Sequence, residues 1–71
     1  MTNEHLEHRM RELRARFRWT QQELANRVDV TRQTIIAIEK GQYNPSVVLA
    51  LKIARAFNLP LEEVFWLGDE T

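Results

Sequence analysis

Cysteine is absent from this 71-residue chain, and glycine and proline occur only twice each. Without cysteine, neither a disulfide framework nor a thiolate zinc site can staple it. The scarcity of glycine and proline leaves long uninterrupted stretches that favour helices over a sheet-and-turn fold. No run approaches about 18 apolar residues, and no apolar stretch lies between a basic start and a small-residue cleavage site. Membrane insertion and export therefore lack support, and a cytoplasmic protein is the expectation. Net charge is missing too, because ten Lys and Arg balance ten Asp and Glu.

The chain is short enough that a single core is only just sufficient, so one domain spanning residues 1–71 is expected, held by helix packing alone. Its 44% apolar content is ordinary for a globular domain. Charge is unevenly placed. Residues 9–40 carry eight bases (Arg9, Arg11, Arg14, Arg16, Arg18, Arg27, Arg32 and Lys40) against four acids (Glu12, Glu23, Asp29 and Glu39). Acidic flanks offset them, with Glu4 and Glu7 before and Glu62, Glu63, Asp69 and Glu70 after. A fold that turns the middle one way presents a positive and a negative side. Charge alone is equally compatible with a solvated helix face.

The apolar pattern predicts five helices. Leu6, Met10, Leu13 and Phe17 form a stripe on a first helix from about Glu4 to Phe17. Thr20 caps a second, with Glu23 completing a capping box and Leu24, Ala25 and Val28 facing inward. Asp29 and Val30 break the pattern, and Thr31 caps a third helix that buries Ile35 and Ile38 and stops at Lys40 before Gly41. Ser46 opens a fourth helix through Phe57, apolar nearly all round except at Lys52 and Arg55, which marks it as the central buried helix. Pro60 begins a short fifth, carrying Leu61, Val64 and Phe65.

The run from Leu13 to Phe65 resembles the Cro and phage-repressor (Xre) type of helix-turn-helix, in its short stand-alone form. The matching motifs are TQQELA in the second helix, VTRQTIIAIEKG through the third, YNPS in the loop, LALKIARAFNLP in the fourth and LEEVF in the fifth. The resemblance implies an all-α, lambda-repressor-like five-helix bundle with the helix-turn-helix at residues 20–40. It further implies a DNA-binding transcriptional regulator, in the first instance a repressor. Two positions depart from the family pattern. Asp29 stands where glycine is usual in the turn, and Ile36 is apolar where a polar residue is more common.

The chemistry of the third helix supports the same reading. A helix fits the major groove and points its first turn at base edges. Arg32 can donate two hydrogen bonds to guanine and Gln33 can pair with adenine, each discriminating by about 1 to 3 kcal/mol. Thr34 is a short donor, while Ile36 and Ala37 can meet a thymine methyl. Gln21, Gln22, Thr31, Lys40, Tyr43 and Asn44 are candidates for backbone phosphate, fixing register rather than sequence. Thr31 serves equally as a plain helix cap. By resemblance, Arg14 and Glu39 form an ion pair joining the first helix to the third; separate surface charges are the alternative.

One such domain reads about four base pairs, so a homodimer on a palindromic operator is expected, with half-sites about one helical turn apart. Leu61, Val64, Phe65, Trp66 and Leu67, within residues 61–68, offer more large apolar side chains than a short helix covers. Trp66 is the best anchor, and Phe65 to Leu67 can extend as a short strand. The alternative is that these residues close the monomer core. Enzymatic readings are weak. His5 and His8, beside Glu4 and Glu7, could form a surface metal pair, but nothing else completes a tetrahedral site, and there is no cysteine nucleophile, no serine or histidine arranged around a pocket and no phosphate-binding glycine loop. No cofactor, metal or small-molecule ligand is expected, nor a cavity of several hundred Å³. The competing function is an antitoxin-like protein-interaction module with secondary DNA binding.

Overall fold

The computed structural model describes residues 3–70, in the order β1 (Asn3–His8), α1 (Met10–Phe17), α2 (Gln21–Arg27), α3 (Arg32–Glu39), α4 (Val47–Ala56), α5 (Leu61–Val64) and β2 (Phe65–Glu70). Five helices are accompanied by a two-stranded antiparallel sheet, so the fold is mostly helical but not all-α. The first helix is a turn and a half shorter than its apolar stripe suggested. Residues 3–8 are extended, with Leu6 opposite Leu67 and His8 opposite Phe65. Leu6 satisfies both readings, because a four-residue spacing to Met10 suits a helix while strand pairing places it against the same core. The junction is set by His8, whose Nδ1 accepts a hydrogen bond from the Met10 amide at 3.2 Å and starts α1.

Local signals fix the remaining helices. Thr20 accepts from the Glu23 amide while Glu23 accepts from the Thr20 amide at 2.9 Å, a complete capping box. Thr31 and Ser46 cap α3 and α4 through the amides of Thr34 and Leu49. The four longer helices end alike, on a left-handed residue: Arg18 (φ 60°), Asp29 (φ 61°), Gly41 (φ 75°) and Asn58 (φ 59°). At each, the following amide reaches back to close the last turn, as in Gln42 to the Ala37 carbonyl at 2.9 Å and Val30 to Ala25 at 3.0 Å.

The core joins every helix, with Met10, Leu13, Leu24, Ile35, Ile38, Ile53, Phe57 and Val64 almost wholly buried. Two expectations fail here. Helix α4 is not surrounded by the chain: Ala50, Ile53, Ala54 and Phe57 face inward, but Val47, Val48 and Leu51 are exposed. Apolar character around its circumference reflects a second face left uncovered. Phe17 is likewise partly exposed, and it stacks on Trp19 at 4.8 Å between ring centroids, with Trp19 stacking in turn on Phe57 at 5.4 Å. No helix among the described residues is long and apolar enough to cross a membrane.

Candidate nucleic-acid interface

Helices α2 and α3 pack against each other, and the buried backs of α3, Ile35 and Ile38, leave its opposite face outward. Arg32 and Gln33 occupy the first turn of α3 and are exposed. Neither side chain makes a hydrogen bond or ion pair among the described residues, so their donors are available. Thr34 is half-buried, its hydroxyl 3.2 Å from that of Thr31, and both hydroxyls sit at the helix start. Ile36 and Ala37 are half-buried rather than free, which limits them to edge contacts.

Beside this turn lies a recess of about 640 Å³ lined by Arg14, Thr20, Gln21, Gln22 and Arg32. It is bounded by the positive end of α2, where backbone amides and the helix dipole favour an anion. Gln22 is exposed and donates to Asn26 at 2.8 Å, whereas Gln21 is half-buried and donates to Glu39 at 3.0 Å. Lys40, Tyr43 and Asn44 are all exposed at the far end of α3 and in the loop after it. Gly41 gives that loop its left-handed turn, which directs the chain away from the helix axis.

Glu39 is the hub beneath the surface. Its side chain is fully buried and accepts from Arg14 Nε at 2.6 Å, Arg14 Nη2 at 3.0 Å and Gln21 Nε2, with Arg11 Nε 3.6 Å away. Arg14 also donates from Nη1 to the Trp19 carbonyl at 3.2 Å. One carboxylate thus ties α1, the start of α2 and the end of α3 together. Burial works against its ionisation, but the hydrogen bonds from Arg14 and Gln21 and the charges of Arg14 and Arg11 prevail and hold the carboxyl below its ordinary value.

The C-terminal candidates divide. Val64 is wholly interior and Phe65 nearly so, and both help close the monomer core, although Phe65 also lines the groove beside it; Leu61 is half-buried. Leu67 is 65% exposed and Trp66 39%, and the Arg9 guanidinium lies 5.1 Å from the Trp66 ring centre. They border a groove of about 250 Å³ whose lining residues, among them Leu6, Pro45, Val47, Ala50 and Phe65, are all apolar in type. Val47 and Leu51, 71% and 49% exposed, were missed in the sequence as surface residues. Their spacing of four along α4 was the available signal.

His5 and His8 do not meet. On a strand, residues three apart face opposite sides, and His5 instead lies 3.3 Å from Glu7 while His8 packs on Phe65. No group of three metal-ligating side chains occurs among the described residues. An open cleft of about 730 Å³ does exist between β1, the first turn of α1 and Lys40, larger than expected for a chain this short. It is surface relief rather than an enclosed cavity.

A helix-turn-helix family model matches residues 10–64. The chain belongs to the helix-turn-helix family, of the Xre and Cro-like type. It is 54% identical over 65 residues to the HTH-type transcriptional regulator YgzD of Bacillus subtilis, covering 92% of this chain and 98% of that one. A regulator of the same type from Archaeoglobus fulgidus is 55% identical over 62 residues, covering 87% of each. Among solved structures, the restriction-modification controller protein C.AhdI of Aeromonas hydrophila superposes with a TM-score of 0.72 at 35% identity, over 76% of this chain and 82% of that one. This helix-turn-helix protein is a DNA-binding transcriptional regulator by family.

Proposed function

We propose that the protein is a repressor that binds a palindromic operator as a homodimer, inserting α3 of each protomer into successive major grooves. The observation that carries this is the exposed start of α3: Arg32 and Gln33 project with no partner among the described residues, on a helix anchored from behind by Ile35, Ile38 and the Glu39 hub. Arg32 and Gln33 read bases, with Thr34, Ile36 and Ala37 shaping the fit. Gln21, Gln22, Thr31, Lys40, Tyr43 and Asn44 hold the backbone on either side.

The protomers join through the apolar groove between α4 and the sheet, using Trp66, Leu67 and Leu61 together with Val47 and Leu51. A contiguous apolar patch of this kind marks an association surface, and a two-fold axis makes it self-complementary. Selection of bound sequences from a random DNA pool tests the reading directly. A palindromic consensus with half-sites about one turn apart supports it. Recovery of no consensus, with tight binding of a co-transcribed protein instead, would replace it with the antitoxin-like alternative.

A further inference from the structure

Three exposed cations outside the reading head converge on one cleft. Arg27 at the end of α2 and Lys52 and Arg55 on α4 line a recess of about 250 Å³ with Val28, Asp29 and Ala56. Asp29 is the single acid in that lining. None of the three cations forms an ion pair or a side-chain hydrogen bond among the described residues. Arg27 is held in place by an apolar support, its guanidinium 4.0 Å over the Trp19 ring. By contrast, Arg14 and Arg16 are consumed by Glu39 and Glu12.

This recess continues toward the DNA-facing side. An adjoining groove of about 310 Å³ shares Val28, Asp29 and Lys52 with it and runs to Thr34, Tyr43 and Ser46. Along α4, Lys52 lies about 9 Å and Arg55 about 13 Å beyond Ser46 by helical rise. The result is a track that begins at two residues assigned to DNA and ends in three exposed positive charges, of which Arg27 also faces Trp19 and the charge of Glu23. A polyanion with evenly repeated charge suits it.

We propose that Arg27, Lys52 and Arg55 grip the sugar-phosphate backbone of the same duplex outside the base pairs read by α3, extending the footprint along α4. The assignment rests on the DNA-binding reading above and adds flanking, sequence-independent contacts to it. It predicts that affinity depends on DNA beyond the operator and that this part is lost first as salt rises.

The test uses the duplex recovered by selection in two lengths, the operator alone and the operator with about 10 base pairs on each side, roughly one helical turn. Binding is measured against salt for the wild type, K52Q/R55Q and R27Q/K52Q/R55Q. The double variant leaves the Arg27–Trp19 contact intact and so guards against a folding defect, which the thermal melt checks. Each lost phosphate contact lowers the slope of log K against log salt by about 0.9, so slopes fall by roughly 1.8 and 2.7 on the long duplex. On the short duplex the variants match the wild type, and the selected consensus does not change. A folded double variant whose slopes equal those of the wild type on both lengths overturns the proposal. So does quenching of Trp19 by polyglutamate, in a W66F background, without any length effect on DNA, which would make the cleft a seat for an acidic protein. If the wild type binds no duplex at all, the DNA reading fails and this inference with it.

Discussion

At Glu39, burial and hydrogen bonding pull in opposite directions, and the hydrogen bonds win. Removing Arg14 would strand a buried carboxylate, so R14A is expected to cost about 3 to 5 kcal/mol, a large share of the stability of a small domain. Double-mutant cycles with E39A in thermal melts test the coupling; strictly additive losses would show that the two side chains act independently. The pH dependence has a definite sign. With the folded carboxyl depressed, the unfolded state binds more protons in the window just below the ordinary glutamate range. The stabilisation is therefore full above about pH 4.3 and is lost as pH falls through the lower folded value. In E39Q that acidic limb flattens. Asp29 offers a prediction in the other direction. It holds φ 61° where glycine costs nothing, so D29G should raise the melting temperature by a few degrees, corresponding to less than about 1 kcal/mol. A lower melting temperature would mean that the Asp29 side chain contributes more than its backbone costs.

Among the elements, α2, α3 and α4 were legible in the sequence because their signals are local. Thr20 with Glu23, Thr31 and Ser46 announce helix starts, and Gly41 and Asn58 announce ends, all within one turn of the groups they satisfy. Strand β1 was not legible, because Leu6 fits a helical stripe and its true partner, Leu67, lies at the other end of the chain. Nor could periodicity tell whether the second apolar face of α4 is covered by the same chain, since Val47 and Leu51 look like core residues until the fold leaves them outside. For α3 the division of labour is testable. R32A should relax preference at one base position by about 1 to 3 kcal/mol. K40Q should weaken all sequences alike and lower the salt slope by about 0.9. A uniform loss in R32A would reassign Arg32 to the backbone.

At the level of the whole molecule, the expected dimer places its apolar anchors on three elements, α4, α5 and β2. Leu67→Asp and Val47→Asp each put a charge on an exposed position without touching the interior, so both should yield folded monomers by sedimentation. Binding to a palindrome should then weaken at least 100-fold, while affinity for an isolated half-site stays as it was. Val64→Asp, by contrast, is expected to unfold the chain, because that side chain is wholly interior.

The sheet that carries Trp66 and Leu67 joins the first and last described segments of the chain, whereas the helix-turn-helix is built from neighbours in sequence. Long-range pairing of this kind is slow to zip and quick to fray. Half of the surface on which a partner would sit therefore belongs to the least self-sufficient part of the protomer. Dilution should melt that corner first, giving a transition temperature that climbs with protein concentration. Cellular abundance would then set both how many regulators exist and how many are intact enough to pair.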